Sequence, residues 1–286
     1  MENEYGFTII IPAYNEATSI IHVIEEVNKL TGHYEVIVVD DSSTDGTFEL
    51  AKEAGVKVIR HTENSGYGAS LKTGIKQSRY DTVVITDADC TYPNEKITEI
   101  VNAFKDGSHD MVVGSRTGKN VRIPLIRKPA KWILNKLANY LSGTKIPDLN
   151  SGFRVMKKEV VEKFIKILPE GFSFTTTITL AMLTNGYSVK YMPIDYLKRK
   201  GKSKIKPIQD TLNFIQLIIR TVLYFNPLRV FIPLSISLIV FALMVLILSW
   251  LFTEKVMDIS FGVILMTAVT VMTIGMLADL IDKRIQ

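Results

Sequence analysis

Two uncharged apolar runs, Val230–Thr253 and Ile259–Ala278, close the chain, separated only by Glu254-Lys255-Val256-Met257-Asp258. Each is long enough to cross a bilayer as a helix, which takes about 20 apolar residues. With so short a connector the two runs predict a membrane hairpin. Setting it aside leaves roughly 225 residues, enough for one sizeable α/β domain with attachments. The chain has 286 residues, a net charge of +5 and a pI near 9.0. A basic balance suits nucleic acid, an anionic membrane surface or phosphorylated substrates. The apolar runs favour the last two, and nucleic acid is not expected as a partner. Cys90 is the single cysteine, so no internal disulfide can form and a reducing compartment fits. His22, His33, His61 and His109 are scattered without zinc-ligand spacing. Acidic Glu2 and Glu4 lead directly into a strand pattern, which is not the pattern of a signal peptide.

The segment Phe7–Pro12 (FTIIIP) is a continuous β-branched run of the kind a strand buried on both faces requires. Tyr34–Val39, Val56–Ile59, Thr82–Thr86 and Met111–Gly114 read as further strands. Helical periodicity over Thr18–Leu30, Ser43–Ala54, Ala69–Gln77 and Asn94–Phe104 fills the gaps. Strands alternating with helices predict a doubly wound, mostly parallel sheet. Ligands of such sheets bind beyond the carboxyl ends of the strands, where Pro12, Asp40 and Asp87 fall.

Past Ser115 the pattern changes. Ile133, Leu134, Leu137 and Leu141 give residues 129–142 an apolar face on a basic background. Pro147–Arg154 reads as a loop and Val189–Met192 as a strand. Lys198–Lys206 is a dense basic loop. Lys206–Phe225 is amphipathic, with Ile208, Leu212, Ile215, Ile219 and Val222 opposite Gln209, Asn213, Gln216 and Arg220. A basic amphipathic helix leading into an apolar span is suited to lie in the membrane interface. The expected organisation is a cytoplasmic domain over 1–205, an interface helix over 206–227, and two transmembrane helices within 228–286, at about 229–253 and 259–281.

Asp87-Ala88-Asp89 directly follows a buried strand. Two carboxylates placed so can bind a hard divalent cation such as Mg²⁺ or Mn²⁺, which also accepts phosphate oxygens. A solvated turn with Asp89 capping a helix would look the same in isolation. Three further segments accompany it: Pro12-Ala13-Tyr14-Asn15-Glu16, Asp40-Asp41-Ser42-Ser43-Thr44-Asp45-Gly46-Thr47, and Gly66-Tyr67-Gly68 with Lys72.

In this order and spacing the chain resembles the family-2 glycosyltransferases, and within them the polyprenyl-phosphate branch typified by dolichyl-phosphate mannose synthase. The matching stretches are PAYNE (12–16), DDSSTDGT (40–47), GYGASLKTGI (66–75), DAD (87–89), GSR (114–116), DLNSGFRV (148–155) and GKSK (201–204). The resemblance implies a nucleotide-diphospho-sugar transferase (GT-A type) fold. Pro12, Tyr14 and Glu16 would line the nucleotide pocket, and Asp40 or Asp41 would contact base or ribose. Lys72 would join the donor site. Asp87 and Asp89 would flank the diphosphate and hold Mg²⁺ or Mn²⁺, with Asp89 the primary ligand. Arg116 and Arg127 would face the acceptor phosphate. Ser151 and Arg154 would belong to a segment closing over donor sugar and acceptor. Arg199, Lys202 and Ser203 would sit on a loop folding over the phosphates. Where the family often carries a glutamine after its acidic motif, this chain has Thr91, which leaves GDP-mannose, UDP-glucose and a UDP-N-acetylhexosamine all open as donors.

The implied reaction is inverting transfer of a hexose, mannose or glucose, from a nucleotide sugar to dolichyl or another polyprenyl phosphate. A lipid phosphate is already ionised near neutral pH, with a second pKa of about 6. It needs charge neutralisation and alignment, which arginine forks supply, and no dedicated base. Arg220 and Arg229 precede the first span and Lys283-Arg284 follow the second. Positive-inside bias therefore places both termini and the catalytic domain in the cytoplasm. The competing readings are transfer to a sugar hydroxyl of a lipid-linked glycan, and a non-catalytic membrane scaffold that keeps the fold.

Overall fold

The computed structural model describes residues 5–118, 135–140, 142–171, 173–197, 207–252 and 258–285. The alternation read from the sequence becomes β1 (Gly6–Ala13), α1 (Ile20–Asn28), β2 (His33–Asp40), α2 (Thr47–Glu53), β3 (Lys57–Arg60), α3 (Tyr67–Gln77) and β4 (Thr82–Ile85). A 3₁₀ turn over Asn94–Lys96 leads into α4 (Ile97–Asp106) and β5 (Met111–Ser115). Then follow β6 (Arg154–Lys157), α5 (Lys158–Phe164), α6 (Phe174–Thr184), β7 (Val189–Pro193) and three long helices, α7 (Pro207–Phe225), α8 (Leu228–Phe252) and α9 (Asp258–Ile285).

The strands form one seven-stranded sheet in the order β3-β2-β1-β4-β6-β5-β7, parallel throughout except for β6, which runs antiparallel to both neighbours. This is the GT-A-type α/β fold, with a mixed, mostly parallel sheet. The periodicity of β1 explains its central place. Ile9 and Ile11 pack on one face with Ile20, Ile24 and Phe104, and Ile10 packs on the other with Leu71, Ile75 and Ile178. Each isoleucine so buried contributes about 1.5–3 kcal/mol relative to exposure.

Strand β6 is a correction to the sequence reading, which ended a loop at Arg154. Its four residues carry a wholly buried arginine in place of an apolar run, so periodicity gives no signal. Helix α2 begins at Thr47, not Ser43, because Asp45 accepts the Thr47 N–H at 3.1 Å and Gly46 turns left-handed at φ 91°. Residues 43–46 are thereby spent on a turn. Only residues 135–140 and 142 of the expected 129–142 helix are described, and they are helical.

Helices α8 and α9 pack as an antiparallel pair. Gly275 in the second half of α9 lies so close to Phe231 near the start of α8 that a Cβ there would stand 2.4 Å from the Phe231 Cβ. Ser235, Ala242 and Ser249, the buried residues of α8, recur every seven positions and form its seam. Elsewhere the pair is apolar and exposed, as at Phe241, Leu248 and Val263. Both helices are long and apolar enough to cross a membrane, which points to membrane anchoring. A third apolar cluster joins this end to the sheet: Ala138, Ile146 and Leu149 pack with Leu180 of α6 and with Ile218 and Val222 of α7, and Val230 of α8 packs against them.

Candidate active site

The loops following β1, β2 and β4 converge at one edge of the sheet. Ala13 lies opposite Asp40 in the β1–β2 register, and the Thr86 N–H donates to the Ile10 carbonyl at 3.2 Å. Each of these loops holds one non-glycine residue in the left-handed region, Asn15 (φ 55°), Ser42 (φ 64°) and Cys90 (φ 56°). Such conformations cost about 1–3 kcal/mol and persist where the surroundings enforce them. In the loops after β1 and β2 they are enforced by cross-bracing. The N–H groups of Asn15, Glu16 and Ala17 donate to Ser43 Oγ, Thr47 Oγ1 and Asp45 Oδ2 at 2.9–3.0 Å, and Thr44 N–H returns a bond to Asn15 Oδ1 at 2.9 Å. Four of the eight residues in the second motif therefore serve to lock the first loop. Hydrogen bonds from Thr47 and the Ala17 N–H overcome the effect of burial and hold the Asp45 carboxyl below its usual range.

The adjacent Asp40 and Asp41 have different placements. Asp41 is consumed internally: its oxygens accept the N–H groups of Ser65 (2.9 Å) and Gly66 (2.8 Å), and its Oδ1 lies 2.7 Å from His61 Nδ1. Asp40 Oδ2 takes the Ser43 N–H and the Arg60 guanidinium, both at 3.3 Å, whereas its Oδ1 is buried and has no hydrogen-bond partner among the described residues. A buried carboxylate oxygen in that state has room to accept a hydrogen bond from water or a bound molecule. Pro12 is buried at the end of β1, Tyr14 is exposed beside it, and Glu16 accepts the Ser19 hydroxyl at 3.1 Å.

Asp87 and Asp89 are half-buried just past β4. The Tyr67 hydroxyl donates to Asp87 Oδ1 at 2.9 Å. Thr91, itself fully buried, donates its hydroxyl to Asp89 Oδ1 at 2.6 Å. Beside them the segment 148–153 closes the site. Asp148 takes a fork from Arg116, at 2.7 Å from Nε and 2.8 Å from Nη2, together with the Arg116 backbone N–H at 2.9 Å. Burial opposes the Arg116 charge, but this hydrogen bonding and the negative surroundings raise its pKa above the ordinary value. The guanidinium also lies over Tyr196, 5.3 Å from the ring centre, and Tyr196 meets Tyr92 edge-on. Tyr92 accepts the Gly152 N–H at 2.8 Å. Burial, reinforced by the nearby Asp87 charge, raises the phenol pKa of Tyr92 and takes that of Tyr67 well above its ordinary value.

Other candidates lie beneath this edge or away from it. Ser151 is fully buried and spends its hydroxyl on the Gly114 carbonyl at 2.6 Å. Arg154 is fully buried too. Its guanidinium binds the Ser151 and Thr175 carbonyls and Thr179 Oγ1, and it presents no surface to an open pocket. Lys72 lines a hollow of about 390 Å³ with Thr73, Lys76, Glu162 and Ile165, between α3 and the end of α5. Arg127, Arg199, Lys202 and Ser203 lie outside the described residues. Sequence reasoning missed Tyr67, Tyr92, Asp148 and Gly152 as site-building residues. Asp148 and Gly152 lie in the DLNSGFRV stretch and Tyr67 in GYGASLKTGI, so the sequence marked the segments of these three without showing their contacts.

The profile of glycosyl transferase family 2 matches residues 8–165. The chain is 33% identical over 217 residues to dolichol-phosphate mannosyltransferase of Pyrococcus furiosus, a match covering 70% of this chain and 59% of that protein's length. It is 31% identical over 209 residues to dolichyl-phosphate hexose transferase of Haloferax volcanii, covering 71% of this chain and 90% of that protein. In three dimensions it resembles glucosyl-3-phosphoglycerate synthase from Mycobacterium tuberculosis, crystallised with Mn²⁺, UDP and phosphoglyceric acid (TM-score 0.62, 19% identity, covering 77% of this chain and 78% of the other). That likeness speaks for the fold. The profile spans more than half of the chain and two polyprenyl-phosphate transferases stand at about 30% identity to it, so the protein belongs to glycosyl transferase family 2.

Proposed function

We propose that this protein transfers a hexose, mannose or glucose, from a nucleotide sugar to dolichyl or another polyprenyl phosphate with inversion. The observation that carries the reading is the third apolar cluster. Asp148, which grips Arg116, sits between Ile146 and Leu149, and both pack in the cluster that contains Ile218 and Val222 of amphipathic α7 and touches Val230 of α8. The arginine at the sheet edge is thus rooted in the element that leads into the apolar helix pair. A phosphate carried on a lipid is the acceptor such a placement suits.

Asp87 and Asp89 would hold Mg²⁺ or Mn²⁺. Among the described residues no group of three or more His, Cys, Asp or Glu side chains is arranged to hold a metal. Two carboxylates on one edge fit a cation that completes its shell with diphosphate oxygens. Bound there, the cation would offset the charge that develops on the departing diphosphate. Asp40 Oδ1 would accept a hydrogen bond from base or ribose. Arg116 would neutralise and align the acceptor phosphate, whose oxygen attacks the anomeric carbon as the bond to the diphosphate breaks. No proton need be removed, so positioning and electrostatics carry the catalysis.

The test is transfer by the detergent-solubilised protein, with Mn²⁺ or Mg²⁺, dolichyl or undecaprenyl phosphate, and a panel of labelled GDP- and UDP-sugars. Label should move into the organic phase as a lipid monophosphate sugar, and Asp89→Ala should abolish that movement. Product formed only with a glycan acceptor would replace this reading with transfer to a sugar hydroxyl.

A further inference from the structure

Tyr67 lies in the middle of the glycine-rich Gly66-Tyr67-Gly68 stretch, yet the flanking glycines have a packing task. A Cβ on Gly68 would stand 2.2 Å from the Pro169 carbonyl oxygen, and one on Gly66 2.6 Å from that of Glu170. The Ala69 N–H donates to the same Glu170 carbonyl at 3.0 Å. The first turn of α3 is therefore seated on the backbone of residues 169–171. Its other anchor is Asp41, which accepts the Gly66 N–H. Held from both sides, the first residue of α3 points its phenol at Asp87.

The space over that contact is closed by backbone. A Cβ on Gly152 would lie 2.9 Å from both Asp87 Oδ1 and the Tyr67 hydroxyl, and 3.2 Å from Asp87 Oδ2. Gly152 is itself fixed by its N–H bond to Tyr92, whose ring stacks on Phe153 at 5.5 Å. The Asp87 carboxylate thus has a hydroxyl donor on one side and a glycine backbone against it on another. A carboxylate whose rotamer is fixed in this way is pre-organised for a ligand whose geometry must be met within tenths of an ångström.

We propose that Tyr67 is the positioning residue of the cation site: through its hydrogen bond to Asp87, with Gly152 closing the space above, it fixes the carboxylate that meets the divalent cation and the donor diphosphate. The inference rests on the metal role proposed above for Asp87. Outer partners of this kind typically account for 10–100-fold in metal affinity.

Mn²⁺ binding to the full chain, followed by the electron paramagnetic resonance signal of free Mn²⁺ with and without GDP or UDP, tests it without recourse to turnover. Tyr67→Phe removes one oxygen and keeps the ring in its packing. It should weaken Mn²⁺ binding 10–100-fold, and it should add nothing when combined with Asp87→Ala. Gly152→Ala, which leaves the hydroxyl in place and sets a methyl against the carboxylate, should weaken binding as well. That variant carries the test should Tyr67→Phe fail to fold. Wild-type Mn²⁺ affinity in Tyr67→Phe, alongside lost affinity in Asp87→Ala, would overturn the inference and leave the metal site standing. Wild-type affinity in Asp87→Ala would overturn both. An equal further loss from Tyr67→Phe on top of Asp87→Ala would show that the phenol does not act through Asp87.

Discussion

Asp148 accepts three hydrogen bonds from Arg116, and its side chain is 2% exposed against 22% for the arginine. Removing one partner of a buried pair leaves the other charge uncompensated and costs about 3–5 kcal/mol, with the low end expected here because the guanidinium keeps some contact with water. Asp148→Asn should therefore lower stability by about 3 kcal/mol in urea unfolding and impair use of the lipid phosphate. Arg116→Lys should not substitute, since an ammonium cannot make the fork. A variant Asp148→Asn as stable as wild type would mean that the pair is broken in solution. At this scale, legibility divided by distance along the chain. The placement of Asp87 and Asp89 just past a buried strand could be read because position and spacing are local properties. Tyr67 and Gly152 could not, because their importance rests on contacts 20 and 65 residues away, with Asp87. Asp40 and Asp41 are neighbours in sequence and differ in their partners, Asp41 being tied to the loop at 61–66 and Asp40 to Ser43 and Arg60.

Strand β6 is inserted between β4 and β5 with reversed direction, and it brings Arg154 into the middle of the sheet at the register of Ile85 and Val113. Strands β1 to β5 and β7 were readable from the sequence as short runs rich in apolar and β-branched residues. β6 was not, because a four-residue strand built around a buried arginine has no periodic signature. The end of this insertion is pinned by Asp110, whose carboxylate accepts Lys157 Nζ at 2.7 Å and the Ser188 N–H at 2.9 Å, tying β5 to β6 and β7. Burial works to raise the Asp110 pKa, but these bonds and the Lys157 charge outweigh it and leave it below the usual value. A depressed carboxylate contributes stability that is present above the unfolded pKa, about 4, and lost as pH falls through the folded value. Thermal melts should thus separate wild type from Asp110→Asn near pH 7, and the two should converge as pH falls below the unfolded pKa and through the lower folded one. A gap that stays constant across that range would mean that the carboxylate charge is not what holds the corner.

The whole molecule is a sheet whose site edge shares an apolar cluster with a long helix pair. Helix α8 has 25 residues, about 37 Å at 1.5 Å per residue, against a hydrocarbon core of about 30 Å. Exposed Tyr140 and Tyr224 lie near its sheet end and exposed Trp250 at its far end, the amphipathic aromatics expected at the two interfaces of a bilayer. At the sheet end Arg229 donates to the Tyr140 carbonyl at 3.2 Å, and Gly143, left-handed at φ 75°, leaves room for its guanidinium. A cation latched there, with Arg220 nine residues before it, is a positive flank of the kind that would retain a loop in the cytoplasm. The catalytic domain should then lie on one side of the membrane and the start of α9 on the other. In sealed vesicles carrying the Cys90→Ser chain, a thiol reagent that cannot cross the bilayer should reach cysteine placed at exposed Glu95 only from the cytoplasmic face, and cysteine placed at Asp258 only from the opposite face. Labelling of both from a single face would mean that the helix pair does not span. A lipid acceptor of the proposed kind would then have to be met from the surface, with the amphipathic face of α7 as the principal contact.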